Sequence, residues 1–266
     1  MIELKNVTHT YSPRTPFEKT AVNGVSLHID KGELVGIIGH TGSGKSTLIQ
    51  LMNGLLKPTS GEVYFCGEKT EKVNTNIGMV FQYPETQIFE ETIQAELAFG
   101  PKNIGMTPKQ IEQEIQKAIT IMGIDSDLTK SPHNLSGGQK RKIAIASILT
   151  MNPQTLILDE PTAGLDPRAR KNLIQTITQM NKEGKTIILV SHSMEEIAEI
   201  CTRIIVLQEG KIFSDGTPNE IFSKSEQLLS LGLDVPEITK YMNKKGYPNI
   251  WTVAQAEEIL RNTKAK

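Results

Sequence analysis

Hydrophobic and polar positions along the 266 residues follow two periods, and the changes between them divide the chain. At the start Ile2 and Leu4 share one face, which predicts an edge strand. "GVSLHIDKGELVGIIG" predicts a strand, a turn at Lys31-Gly32, and a second strand running into "GHTGSGKST" (39–47). "STLIQLMNGLL" then predicts a helix, with Gly54 near its C-terminal end. Pro58 to Gly61 reads as a turn, "GEVYFCG" as a strand, and residues 77–81 as a short buried strand ending at Gln82. From Tyr83 to His133 the period becomes helical. Thr107, Pro108 and Gln110 form a capping box with proline first, Ile111, Ile115, Ala118, Ile119 and Met122 make one face, and Gly123 is the stop. Strands and helices alternate again through "KIAIASILT", "TLILDE", "DPRARKNLIQTITQMNKEG", "KTIILVSH" and "SMEEIAEICT", before a hairpin through Glu209-Gly210. That alternation predicts an α/β fold with a mostly parallel core sheet. Residues 83–135 read as an inserted helical subdomain within a body spanning 1–225. Residues 226–266 read as a helical extension with helices at "PEITKYMNKKG" and "TVAQAEEILRN", the latter opened by a Thr252/Gln255 box.

Composition removes several functions. The formal net charge is −1 with 22% charged residues, which gives no footprint for a nucleic-acid partner. The run Lys140-Arg141-Lys142 falls on a predicted helix and is expected to be a solvated face. Cys66 and Cys201 have no metal-ligand spacing and no disulfide framework, which fits a reducing cytoplasm. "MIELKNVTHTY" has no signal-like apolar stretch. The longest apolar runs, such as "TIILV", are strand-sized against the ~20 residues of a membrane span. A protein soluble by itself is expected.

The chemistry concentrates at a few strand ends. Gly39, His40, Thr41, Gly42, Ser43, Gly44, Lys45, Ser46 and Thr47 fit G-x-x-x-x-G-K-S between a predicted strand and a predicted helix. Small residues let backbone N–H groups curl around phosphates, and the helix N-terminus adds its dipole. Lys45 would reach the β- and γ-phosphates, and Ser46 would ligate Mg²⁺. "TLILDE" ends in two acids: Asp159 suits direct ligation of the metal or its second shell, and Glu160 suits orienting or deprotonating an attacking water. Gln82, at the end of its strand, can ligate Mg²⁺ and sense the γ-phosphate. His192 ends "TIILVSH", where a neutral imidazole can donate to the γ-phosphate.

"LSGGQ" (135–139) raises a question of its own. Ser136 is a good N-cap, Gly137 and Gly138 permit close approach, and Gln139 continues into a helix, so this is a second anion-binding helix N-terminus. The first loop already cradles the phosphates. The economical reading is that LSGGQ serves a nucleotide held by another subunit, against the plainer one of a cap without a ligand.

Together "GHTGSGKST", Gln82, "LSGGQ", "LILDE", "AGLD" (163–166) and His192 resemble the ATP-binding-cassette (ABC) ATPases, over residues 1 to about 225. The resemblance implies a P-loop NTPase with an antiparallel β subdomain, pairing head to tail so that LSGGQ closes over the partner's ATP. It also implies that Tyr11 stacks on adenine and that Asp166 bridges the two sites. The segment "FQYPETQIFEETIQAELAFGPKNIGM" (81–106) looks like the one following Gln82 in energy-coupling factor (ECF) transporter ATPases, with Thr86 in place of their second acid. The pairing of "GHTGSGKST" with "YPETQIFEET" is most like the second of their two paralogous ATPases. For such a subunit the resemblance implies a second ATPase as partner, a paralogue or another copy. It further implies a transmembrane scaffold, a substrate-binding membrane subunit reached indirectly, and a peripheral place on the cytoplasmic membrane face. Glu85, Glu90, Glu91 and Glu96 enrich the segment in acid, and Glu90 or Glu91 is expected to meet a basic residue of the scaffold. A different ABC transporter, a soluble cassette ATPase acting on nucleic acid or ribosomes, and a phosphotransferase are the alternatives. The second would carry tandem cassettes or a long coiled coil, and the third has no need of LSGGQ.

Overall fold

The computed structural model describes residues 1–264. The chain begins with β1 (Ile2–Tyr11), β2 (Lys19–Ile29), β3 (Leu34–Ile38), α1 (Lys45–Asn53), β4 (Ser60–Phe65) and β5 (Glu68–Lys69). It continues through β6 (Ile77–Val80), a 3-10 turn (Pro84–Gln87), α2 (Ile93–Asn103), α3 (Pro108–Met122), a second 3-10 turn (Pro132–Asn134) and α4 (Gly137–Leu149). β7 (Thr155–Asp159), α5 (Pro167–Lys182), β8 (Thr186–Val190), α6 (Met194–Ile200), β9 (Arg203–Gln208) and β10 (Lys211–Gly216) follow. Four helices close the chain: α7 (Pro218–Phe222), α8 (Ser225–Ser230), α9 (Glu237–Lys244) and α10 (Val253–Lys264). Two compact units result, one of residues Met1–Glu71 with the chain from Leu189 onward, the other of Lys72–Ile188.

In the first unit an antiparallel sheet has the order β2-β1-β4-β5. β1 is therefore an interior strand, not the edge its alternation suggested. Leu4 faces Leu27 on one side and Val63 on the other. Alternation reports which face is buried, here by Ile2, Leu4 and Val7; it carries no information on lateral neighbours, and β4 arrives much later in the chain. Each such side chain contributes about 1.5–3 kcal/mol on burial. β3 pairs in parallel with β9, and β9 pairs antiparallel with β10. All five residues of β3 are buried, as a strand covered on both faces requires. Glu209 (φ 46°) and Gly210 (φ 75°) make the two-residue hairpin turn that positive φ angles allow.

Near the C-terminus Met242, Ile250 and Ala256 form a small core with Ile238, Tyr247 and Ile259. The N–H of Glu237 donates to Glu195 at 3.1 Å, tying the start of α9 to α6. α7 and α8 leave no mark in the hydrophobic pattern. They are too short for a helical period to emerge, although α7 opens with a Thr217/Glu220 capping box.

In the second unit β6 pairs in parallel with β7, from Ile77 opposite Thr155 to Val80 opposite Leu158. The strand stops at Val80, so Phe81 and Gln82 lie beyond it. α3 has the predicted box, with the Thr107 N–H donating to Gln110 at 2.9 Å, and Gly123 closes it at φ 56°. One expectation fails in α4. The Lys140-Arg141-Lys142 run is not a solvated face, because Arg141 is only 4% exposed and Lys142 donates to the Gly123 carbonyl at 3.1 Å. Position 141 lies four and eight residues before Ile145 and Leu149, on the face that α4 buries.

Candidate active site

In the first unit β3 delivers the chain into the glycine loop, and Gly44 turns it into α1. Gly44 sits at φ 103° with no side-chain cap hydrogen bond. A Cβ there would lie 2.2 Å from the Ala21 carbonyl oxygen, and one at Gly39 would lie 2.4 Å from the Leu207 carbonyl oxygen. Only glycine allows this approach at either position. The loop is held from behind: the Ser43 N–H donates to the His40 carbonyl at 3.1 Å, and the Ser43 carbonyl accepts from the Gly210 N–H at 2.9 Å. Lys45 Nζ donates to the carbonyls of Gly39 (2.6 Å) and His40 (3.1 Å), so its ammonium is folded over its own loop.

A cleft of about 240 Å³ is lined by Tyr11, Lys19, Ala21, Gly42, Gly44, Lys45, Ser46 and Thr47. Tyr11 is 39% exposed; its hydroxyl lies 3.1 Å from Thr47 Oγ1, and its ring meets His9 edge-on at 4.6 Å. Backbone N–H groups, an ammonium and two hydroxyls around one concavity, with an aromatic ring at its rim, fit a nucleotide's phosphates and base. His192 belongs to this unit too. Burial lowers its pKa first and the Lys45 charge lowers it further. A depressed histidine contributes stability that is present above the ordinary value of 6.5 and lost as the pH falls below it. The imidazole is therefore expected to be neutral at pH 7. Ring-nitrogen NMR should show titration below 6.5, and titration above that value would contradict this electrostatic reading.

The second unit carries the remaining predicted residues. Gln82 is exposed and precedes Tyr83, whose φ of 58° starts the first 3-10 turn. The Thr86 hydroxyl donates to the Tyr83 carbonyl at 2.8 Å, so threonine at this site pins the turn from within. Asp159, 9% exposed, ends β7. Glu160 follows at φ 51°, a left-handed conformation uncommon for a residue with a side chain. The Ala163 N–H returns to the Glu160 carbonyl at 3.2 Å. Asp166 caps α5, its Oδ1 accepting from the N–H groups of Arg168 (2.9 Å) and Ala169 (3.0 Å).

Ser136 caps α4 in a capping box, with its own N–H donating to Gln139 Oε1 at 3.1 Å. A Cβ at Gly137 or Gly138 would meet nothing within 4 Å, so the chain's own packing gives no reason for either glycine. Among the described residues no three His, Cys, Asp or Glu side chains converge as a metal site. The predicted magnesium donors, Ser46, Gln82 and Asp159, are a hydroxyl, an amide and one carboxylate, which suits a hard cation that keeps phosphate and water oxygens in its shell.

Three features escaped the sequence. Arg141 binds Glu85 through Nε (3.0 Å) and a terminal nitrogen (2.8 Å). Its other terminal nitrogen donates to the carbonyls of Pro161 and Ala163. Burial pushes the Glu85 carboxyl up, but the Arg141 hydrogen bonds and charge outweigh it, and the group is held below the ordinary carboxylate range. Glu96 is buried and accepts from the N–H groups of Phe89 and Glu90, both at 3.2 Å. Two of the four acids that enrich this segment thus bind partners within the chain. The helical phase of Arg141 was the available signal for the first; Glu96 and the Gly210 brace behind the loop had none.

A phosphate cradle on one helix and an open glycine pair on another define the ABC transporter ATPases, and the chain belongs to the ABC transporter family, whose model matches residues 22–163. Among its relatives is the energy-coupling factor transporter ATP-binding protein EcfA2 of Clostridium tetani, 47% identical over 275 residues, with 97% of this chain and 96% of that protein covered. Among solved structures, cbiO1 from Clostridium perfringens, described as part of the ABC transporter complex cbiONQ, superposes with a TM-score of 0.76 at 34% identity. That match covers 91% of this chain and 98% of that one. The ATP-binding cassette MJ0796, a dimer bound to ADP and Pi, superposes with a TM-score of 0.73 at 31% identity, over 82% of this chain and 99% of its own.

Proposed function

We propose that this chain is the ATP-hydrolysing subunit of an ECF-type importer, pairing head to tail with a second cassette ATPase to drive uptake of vitamins or other micronutrients through a membrane scaffold. The observation that carries the pairing is the contrast between the two helix N-termini. The glycines at 39 and 44 are demanded by close backbone contacts within the chain, whereas those at 137 and 138 face open space. Glycine in a helix costs about 1 kcal/mol relative to alanine. Its presence at two successive open positions is explained by a ligand that approaches from outside.

In this reading the loop from Gly39 to Thr47 binds the phosphates, Lys45 swings from its loop carbonyls onto them, and Tyr11 stacks on adenine. Ser46, Gln82 and Asp159 would hold Mg²⁺, which would supply charge neutralisation at the phosphates. Glu160 orients and deprotonates the attacking water, and a neutral His192 donates to the γ-phosphate. Ser136, Gly137, Gly138 and Gln139 close over the partner's nucleotide, with Asp166 at the junction. The partner is a paralogue, as the likeness to EcfA2 proteins supports. Residues 83–135 form the scaffold-facing subdomain and residues 226–266 a contact between the ATPases. No described helix is long and apolar enough to cross a membrane, and the subunit docks peripherally on the cytoplasmic face.

Gly137→Ala tests the arrangement. The isolated chain should melt at or above its original temperature and bind ATP as before. The assembled pair should lose at least ~10-fold in turnover, since the added methyl sits where the partner's phosphates arrive. Lys45→Ala in one subunit and Gly137→Ala in the other should share one composite site and spare the second. Normal turnover by the Gly137→Ala pair would remove LSGGQ from the reaction.

A further inference from the structure

The buried guanidinium of Arg141 joins three segments that the proposed function uses separately. Glu85 follows Gln82 by one short turn. Pro161 and Ala163 lie between Glu160 and Asp166. Arg141 itself stands on α4, two residues beyond LSGGQ. Two nitrogens go to Glu85 (3.0 and 2.8 Å), and a third serves the Pro161 carbonyl at 3.2 Å and the Ala163 carbonyl. The planar fork of arginine supplies donors in these directions at once, and lysine, a point charge, does not. Stability alone gives a weak reason for the arrangement, since apolar residues of equal volume commonly match a buried ion pair. What the pair supplies is registry: a side chain with four acceptors fixes the relative placement of three pieces of backbone. Glu96 extends the same logic by holding the N–H groups of Phe89 and Glu90.

We infer that Arg141 is a positioning residue that makes the Gln82 segment, the LSGGQ helix and the Glu160–Asp166 loop respond to nucleotide as one body. The inference rests on the ATPase reading above and goes beyond it: the γ-phosphate state sensed at Gln82 reaches LSGGQ and Asp166 through the Glu85–Arg141 pair. Asp166 is reached because the carbonyls that Arg141 holds belong to the turn that ends in its helix cap.

Glu85→Gln keeps the side-chain shape and removes the charge. A Glu85→Leu, Arg141→Met double variant removes the whole link while keeping the volume apolar, so that one folded variant is in hand if the single change destabilises the chain. Hydrogen exchange of the full chain, with and without Mg-ATP, reads the response at residues 82–90, 136–141 and 161–166. Fluorescent ATP binding and thermal melting are measured alongside. In the unmodified chain Mg-ATP should protect all three segments. In either variant protection near Gln82 should persist, while that at 136–141 and 161–166 falls at least ~3-fold, within the range of couplings carried by such networks. ATP affinity should stay within about twofold, and kcat of the assembled pair should drop roughly tenfold with KM unchanged. A merely structural role would shift melting and leave the exchange pattern and kcat alone. A folded double variant with the original three-segment response and kcat overturns the inference. Failure of the unmodified chain to bind ATP would instead overturn the ATPase reading, and this inference with it.

Discussion

Glu160→Gln is expected to bind ATP normally and to lose about 10²–10⁴-fold in turnover, the usual share of a positioned general base. Glutamine keeps the volume and the reach of the side chain but cannot take the proton of the attacking water. The backbone should tolerate it, because the left-handed φ of 51° at this position strains both residues alike. Strained φ values collect where surrounding structure holds a residue for a task, and Glu160 is fixed through its own carbonyl by Ala163. Phosphate release measured on the assembled pair, with nucleotide binding as control, reads the result. The variant should also accumulate as the closed, ATP-bound dimer on size exclusion. Hydrolysis within a few-fold of the original would leave Glu160 a strained turn residue and nothing more.

Gly44→Ala should lower stability and nucleotide affinity together. Its Cβ would enter 2.2 Å from the Ala21 carbonyl oxygen, a backbone atom that cannot rotate away, at a φ of 103° that alanine resists. Left-handed backbone costs ~1–2 kcal/mol, and overpacking adds ~1–3 kcal/mol. For a chain of this size the sum of ~2–5 kcal/mol lowers the melting temperature by roughly 4–10 °C. ATP affinity should fall by at least ~100-fold, because the loop relieves the clash only by surrendering its curl around the phosphates. Gly42→Ala is the control: its φ is 83° but nothing lies within 4 Å of the added methyl, so it carries the strain without the collision. Equal melting of the two variants would show that the close approach at Gly44 is not what demands glycine.

The contrast between these glycines also marks how far the sequence could be read. The alternation of strands and helices, the Thr107 box, the Glu209-Gly210 turn and the family itself were legible, because each is written in neighbouring residues. The lateral place of β1 was not, since β1 meets β4 only after the chain has passed through α1. Arg141 escapes a reading of the sequence for a related reason. Three consecutive basic residues read as a surface, and Ile145 and Leu149 give only a hint of Arg141, since Lys140 stands in the same relation to Ala144 and Ile148. Its acceptors, Glu85 and two carbonyls beyond β7, are remote in sequence and leave no local trace. At the site, residue identity announced the phosphate loop and LSGGQ. What sequence could not distinguish was a glycine required by the chain's own backbone from one left open to a visitor.

The hydrogen bonds around Gly210 carry a consequence for how the protein is made. Its N–H supports the Ser43 carbonyl at 2.9 Å and its carbonyl accepts from the Asn23 N–H at 2.8 Å, so the phosphate loop is shaped by a hairpin near the far end of the chain. A ribosome moving at ~5–20 residues per second needs roughly 8–33 s to travel from Ser43 to Gly210. For that interval the nascent chain has its glycine loop without the brace that shapes it. ATP should therefore be unable to act as a folding ligand until the β9–β10 hairpin has left the exit tunnel, and truncations that end before Arg203 should emerge blind to nucleotide even though they contain every residue of the loop.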